Sequence, residues 1–268
     1  MKKLIAGPWV GEFGWELFAW QGYIRALSKE FDETTIISRK NSESLYKDFA
    51  DVFYSYEPVG GLSDAFFMHN LDTLTAFKEA VTNNNIKMDK SVSVILPRRI
   101  GIPPHTHYTD HVIFGNHRIQ PTYIQFGQED KKQYDYIFHI RSRDLRKADN
   151  WSLQNWQELK ELLGDKKIAC IGTIKESGWL DGTDDLRDLE MNKLITVLRN
   201  SDCAFGPSSG PMHLISLCGL PHVVWSIPQN KVRYEENWNP LSTKVLFDCK
   251  YNWHPSAAHI YEKFQDWI

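Results

Sequence analysis

Short runs of β-branched and apolar residues alternate with stretches of helical periodicity, and the alternation occurs twice along the chain. This restricts the architecture more than any other feature of the sequence. The first series opens with "KKLIA" at 2 to 6, is halted by the Gly/Pro punctuation of "GPWVGEFG", and enters "WELFAWQGYIRALSKEF", where apolar residues recur at helical spacing. It continues through strands expected at 34–38, 52–57 and 91–97, with helices near 42–50 and 71–84. Strands that alternate with helices form right-handed crossovers and a parallel sheet.

From 98 to 134 the pattern dissolves into Pro, His, Gly, Gln and the charged cluster "GQEDKKQ", then restarts. Strands are expected at 134–141, 166–172, 202–206 and 221–226. Helices are expected at 152–164, with Ser152 as N-cap and Gly164 as stop, and at 190–201, 211–219 and 256–268. The 268 residues therefore divide into two doubly wound α/β domains, expected at 1–130 and 131–268.

Composition removes several classes of protein. Hydrophobic residues make up 42% of the chain and charges are mixed rather than blocked, as in a packed globular protein. No apolar run approaches the ~18 residues of a membrane span, and the N-terminus meets Gly, Pro and Glu too early for a signal-peptide core, so a cytoplasmic protein is expected. Cys170, Cys203, Cys218 and Cys249 are widely spaced beside apolar runs, the pattern of free thiols rather than of zinc ligands or a disulfide framework. The net charge of −3 gives no global attraction to nucleic acid, and oligomeric state is not encoded in any pattern found. One local patch differs: between Arg98 and Arg118 lie three arginines and four histidines against one acid. Those histidines, at 105, 107, 111 and 117, follow no familiar metal spacing.

In open parallel sheets ligands bind beyond the carboxyl ends of the strands, where helix N-termini point free N–H groups outward. "AFGPSSGPMHL" is placed there. Gly206 and Gly210 permit close approach, Ser208 and Ser209 cap or donate, and Pro211 suits a first helical turn, followed by Met212 and His213. The same residues serve equally a phosphate site or a capped helix start with His213 in the core. Arg141, Arg143 and Lys147 follow the strand that restarts the alternation, and Gly172 ends the next one. Guanidinium groups suit phosphate, while Asp144 and Asp149 are able to balance the charge.

The stretch "FGPSSGPMHLISLCGLP" resembles the signature of the heptosyltransferase-like glycosyltransferases of the GT-B fold at Gly206, Ser209, Gly210, Pro211, His213, Leu214, Gly219 and Pro221. Ser208 stands where that family commonly has an acid. The resemblance extends more weakly to "FHIRSRDLRKADNWSLQNWQELKELL". It implies an α/β fold of two Rossmann-like doubly wound domains (GT-B), compact, with a nucleotide-sugar donor such as a UDP- or ADP-sugar in the C-terminal half and no required metal or cofactor. Donor contacts are then expected from Arg141, Arg143, Lys147, Gly172, Ser208, Ser209, Gly210, Pro211, Met212 and His213.

The resemblance also implies an acid near the first glycine-rich loop as the base that deprotonates the acceptor. Trp15 stands where several relatives carry aspartate, leaving Glu12 and Glu16, with acceptor contacts expected from Gly11, Gly14, Trp15, Arg98, Arg99, His105 and His107. The acceptor class stays open between a glycan of the lipopolysaccharide type and a hydroxymethylated base in DNA, as for bacteriophage DNA-modifying relatives. A sugar-nucleotide 2-epimerase and a non-catalytic sugar-nucleotide or glycan-binding protein are the alternatives. Downstream, Arg233, Glu236 and Trp238 fit either a sugar contact or packing. A dinucleotide oxidoreductase is disfavoured, because "GPWVGEFG" lacks the G-x-G-x-x-G spacing.

Overall fold

The computed structural model describes residues 1–9, 11–57, 73–97 and 119–268, together with the backbone of 113–114 and 117–118. The chain folds as two units, Met1–Tyr123 and Ile124–Ile268.

The first unit contains β1 (Lys3–Ala6), α1 (Phe13–Glu16), a π turn (Leu17–Gln21), α2 (Gly22–Ser28), β2 (Glu33–Ser38), β3 (Val52–Ser55), α3 (Thr73–Asn83) and β4 (Val92–Ile95). The strands run parallel in the order β3-β2-β1-β4, the arrangement of half a doubly wound sheet. Their apolar residues, with Phe77 and Ala80 of α3, form the core beneath Ile5 and Ile37. A short antiparallel ribbon pairs β5 (Ile113–Phe114) with β6 (His117–Arg118).

Two sequence expectations fail in this unit. The helix near 42–50 is absent: a 3₁₀ turn at Glu43–Leu45 is followed by irregular turns. Side chains from elsewhere claim this segment. Arg25 donates to the Leu45 carbonyl at 3.1 Å and to both Asp48 oxygens, while the Tyr46 hydroxyl reaches into the core to Glu16 at 2.8 Å. The helix expected from Trp15 begins earlier, at Phe13, and widens midway into the π turn. The Tyr123 hydroxyl donates to the Phe18 carbonyl within that turn at 2.7 Å, and a Cβ on Gly22 would lie 2.5 Å from the Tyr123 ring. π turns are rare and recur near functional sites.

The second unit contains β7 (Tyr134–Phe138), α4 (Leu153–Leu163), β8 (Ile168–Cys170), β9 (Asp184–Asp185), α5 (Met191–Arg199), β10 (Ser201–Pro207), α6 (Gly210–Leu217), β11 (His222–Trp225), β12 (Val245–Asp248) and α7 (Ala257–Trp267). Ser152 caps α4 as expected, accepting the Asn155 N–H at 3.1 Å, and Gly164 ends it. Ser256 caps α7 in the same way. All pairings in the six-stranded sheet are parallel, and read from β9 the order is β9-β8-β7-β10-β11-β12. Within this unit that is the 3-2-1-4-5-6 order of dinucleotide-binding folds, which reverses between β7 and β10. The core includes three mutually packed indoles, Trp151, Trp156 and Trp225, with centroids 4.6 to 5.4 Å apart. β12, which follows the Asn239-Pro240 turn, was not expected from the sequence.

Candidate functional site

In doubly wound sheets the ligand site lies where the strand order reverses, here at the carboxyl ends of β7 and β10, whose crossovers depart in opposite directions. The segments that follow these two strands carry most of the donor residues expected from the sequence.

After β10 the chain passes through Ser208, whose N–H donates to the Trp225 carbonyl at 3.1 Å, to Ser209, the extended N-cap of α6 (φ −165°, ψ 168°). Gly210 and Pro211 form the first helical positions. The leading N–H groups of an α-helix have no intrahelical acceptor, and its N-terminal end carries partial positive charge. The Ser209 Oγ atom is buried and has no hydrogen-bond partner among the described residues. Met212 is fully buried beneath this turn. A Cβ on Gly206 would lie 2.6 Å from the Met212 sulfur and 3.3 Å from His139 Cβ, so the absence of a side chain there lets the two strand ends close up.

His213, one turn into α6, is 3% exposed. Its ring stacks on Tyr234 (4.3 Å, 18°) and meets Trp238 edge-on at 4.7 Å. Burial, with the Arg233 charge second, holds its pKa well below that of free imidazole, so it is a neutral ring at pH 7. Tyr234 does more than stack: its hydroxyl accepts the Ser209 N–H at 3.0 Å and donates to the Ser209 carbonyl at 3.3 Å. The residues at 233–238 thus act from behind α6. Trp238 is a packing anchor, 3% exposed, with the Arg233 guanidinium 4.8 Å from its ring centroid, while Glu236 is exposed.

After β7 the three expected cations separate by role. The Arg141 guanidinium is buried and donates to the Arg146 carbonyl at 3.2 Å, to the Leu145 carbonyl at 3.3 Å and to Asn150 Oδ1. Burial, then the neighbouring Arg143 charge, depresses its pKa. It organises the loop from within. Arg143 is half-buried, its N–H bonded to Asn150 Oδ1 at 3.2 Å and its Nε 3.6 Å from Glu176. Lys147 is exposed. Between 141 and 150 the loop carries four cations against two carboxylates. Gly172 lies at the end of β8 with φ +124°, where a Cβ would fall 2.0 Å from Ser177 Oγ and 3.2 Å from His139 Nδ1. A side chain at this position would collide with Ser177, so glycine lets the backbone pack closely beside the loop.

In the first unit the two glutamates differ sharply. Glu12 is the partly exposed N-cap of α1, with extended backbone, and its carbonyl accepts the Glu16 N–H at 3.1 Å. Glu16 has no exposed surface. Its carboxylate accepts from the hydroxyls of Ser38, Tyr46 and Ser42, and Arg39 Nε lies 2.7 Å from it. Gly11 is buried with its carbonyl bonded to Arg39 Nη2, Gly14 is buried, and Trp15 is 6% exposed. Arg98, Arg99, His105 and His107 lie outside the described residues.

Sequence reasoning passed over Arg39, Asn150 and Tyr234. A tyrosine in a charged run and an asparagine after "KAD" carry no pattern, since their partners become neighbours only in the folded chain. Arg39, directly after a buried strand, was the detectable one. Among the described residues no group of three or more His, Cys, Asp or Glu side chains is arranged to hold a metal ion, and no helix is long and apolar enough to cross a membrane.

No protein-family model matches the chain, and no curated protein matches it by sequence. Solved structures do match by fold. The ADP-heptose lipopolysaccharide heptosyltransferase II of E. coli aligns over 99% of this chain and 98% of its own at TM-score 0.58 and 12% identity. A family 9 glycosyl transferase of Veillonella parvula aligns over 100% and 92% at 0.59 and 11%. The E. coli heptosyltransferase WaaC, solved with ADP, aligns over 100% of both chains at 0.57 and 12%. Two parallel doubly wound units and these likenesses identify the fold of the chain as the GT-B fold of glycosyltransferases.

Proposed function

We propose that the protein is a nucleotide-sugar-dependent glycosyltransferase, with the donor held by the C-terminal unit and a hydroxyl acceptor served by the N-terminal unit. One observation carries this reading. The reversal point between β7 and β10 brings together the N-terminus of α6, a buried Ser209 hydroxyl without a partner among the described residues, and a cation-rich loop, a constellation suited to a diphosphate. Two of the structures of similar fold, one named for ADP-heptose and one solved with ADP, support the same assignment.

Transfer then proceeds by attack of the acceptor oxygen on the anomeric carbon. The new C–O bond forms as the bond to the diphosphate breaks, and the leaving nucleoside diphosphate takes the electron pair. Its growing charge is met by the α6 N–H groups, Ser208 and Ser209, and by Arg143 and Lys147, with Arg141 holding their loop in place. The hydroxyl proton passes to Glu12, which is partly exposed at the start of α1, whereas Glu16 is buried and saturated with donors. No metal is required for these steps.

Thermal-shift titration with ADP, UDP and their sugars tests donor binding, because a ligand that binds only the folded state raises Tm by mass action. Glu12→Gln is expected to abolish transfer while leaving that shift intact. Near-normal turnover of the variant removes Glu12 as the base. Conversion of the sugar nucleotide without acceptor would instead establish an epimerase, and donor binding with neither transfer nor conversion a binding protein. Binding to hydroxymethylated duplex that weakens steeply with salt would identify DNA as the acceptor, and its absence at low salt leaves a glycan.

A further inference from the structure

Glu16 is the centre of an ionic group that the proposed chemistry does not use. Its fully buried carboxylate accepts from Ser38 at the end of β2 and from Ser42 and Tyr46 in the turn beyond, and is ion-paired with Arg39, so two separate pieces of chain converge on it. A charge at zero exposure with so many donors is fixed in place, since any displacement strips it of partners that water cannot replace.

Arg39 carries this fixity outward. While Nε faces Glu16, Nη2 of the same guanidinium donates to the carbonyl of Gly11, and its carbon lies 5.7 Å from the Phe13 ring centroid. One side chain therefore holds the residues immediately before and after Glu12. From the other direction the Glu16 N–H bonds the Glu12 carbonyl at 3.1 Å as the first backbone bond of α1, so the residue that carries the buried carboxylate is itself tied to Glu12, and the ion pair fixes the helix turn on which Glu12 is the N-cap. The planar fork of arginine makes this double engagement feasible, and a lysine ammonium cannot span both acceptors in the same geometry.

We infer that Glu16 and Arg39 are a positioning pair, which sets the backbone from Gly11 to Phe13 and thereby the direction in which Glu12 presents its carboxylate. The inference rests on Glu12 being the base. An ion pair that only stabilised the unit would have no reason to reach Gly11, and its loss would act on stability without altering the residues around Glu12 selectively.

Two variants and two readouts test it. Arg39→Lys keeps the charge beside Glu16 and gives up the Gly11 carbonyl. Glu16→Gln keeps an acceptor for Ser38 and Tyr46 and gives up the charge. In the full chain without ligand, the amide at position 16, which bonds the Glu12 carbonyl, is expected to exchange with deuterium at least tenfold faster in both variants, with β1 and β2 unchanged. With a transferable donor, kcat is expected to fall at least tenfold while the donor KM stays within twofold. Placed on the Glu12→Gln background, Arg39→Lys is expected to cause no further loss of the residual rate. Unchanged exchange at position 16 overturns the inference, and so does faster exchange with wild-type kcat, or an equal loss on both backgrounds. Wild-type turnover of Glu12→Gln alone is a different outcome. It removes the assignment of the base while the exchange measurement still decides whether the pair orders the loop.

Discussion

The clamp of Tyr234 on Ser209 is open to a test by removal of one oxygen atom. Tyr234→Phe deletes two hydrogen bonds and keeps the ring, which is 1% exposed, stacked 4.3 Å from His213 and packed 5.6 Å from Phe247. The two bonds differ in consequence. The Ser209 carbonyl also accepts the His213 N–H at 3.3 Å, so it keeps a partner in the variant. The Ser209 N–H, bonded to the hydroxyl at 3.0 Å, loses the partner that the structure gives it. Leaving a fully buried donor unsatisfied costs about 1–3 kcal/mol; Ser209 is only partly buried, so a loss of about 1 kcal/mol, at the low end of that range, is expected. Ser209 is the N-cap of the helix assigned to the diphosphate. Loss of the clamp is expected to let the N-cap move and so weaken nucleotide binding, where about 1.4 kcal/mol corresponds to a tenfold rise in Kd. Urea unfolding followed by tryptophan fluorescence measures the first effect as a lower midpoint at constant m-value, and calorimetric titration with ADP and UDP the second. An unfolding free energy within about 0.3 kcal/mol of wild type refutes the accounting. A loss of stability with unchanged nucleotide affinity refutes the link between the clamp and the site.

Gly22→Ala puts a methyl group 2.5 Å from the Tyr123 ring, which is pinned through its hydroxyl to the Phe18 carbonyl. Overpacking of about 1–3 kcal/mol is expected, visible as a fall in Tm, and an unchanged Tm would show that the ring moves freely. His139 and His222, both buried, have pKa values depressed to about 4, below the ordinary 6.5 retained in the unfolded chain. The unfolded state therefore binds protons first as pH falls. Stability that is complete above about pH 6.5 declines towards pH 4 by about 1.4 kcal/mol per unit for each ring. His222→Gln is expected to flatten the measured slope by about one such contribution, and an identical slope in urea melts across that window would contradict it.

Much of the second unit is legible in the sequence. Its strands are short apolar runs and its helices have clean starts, as at Ser152 and Ser256, so local chemistry and tertiary structure agree. The first unit was less legible because tertiary bonds override local preference. The segment around Leu45 to Asp48 has helical composition, yet Arg25 and Glu16 draw its carbonyl, hydroxyl and carboxylate groups apart. The same limit applied to the site. "GPSSGPMH" advertised a helix start, but nothing in the spacing distinguished Glu12 from Glu16, since exposure and partners separate them only after folding. Arg141, expected at the ligand, also bonds Asn150 and two carbonyls of its own loop, partners that no linear pattern pairs with it.

The π turn at Leu17–Gln21 has a consequence for how this chain is compared with others. A π turn is, in effect, one residue added to a helix, and each residue advances an α-helix by about 100° and 1.5 Å. Upstream of it stand Glu12 and Glu16; downstream stand Tyr23, Ile24 and Leu27, packed into the unit. Aligned with a relative whose corresponding helix is regular, this chain falls out of phase by one position across the turn. Counting from β1 and counting back from α2 then pair different residues with the same acid. A match judged by spacing alone, such as that of Trp15 with an aspartate, depends on which end the count begins from, and a superposition that places the gap inside Leu17–Gln21 restores a common frame.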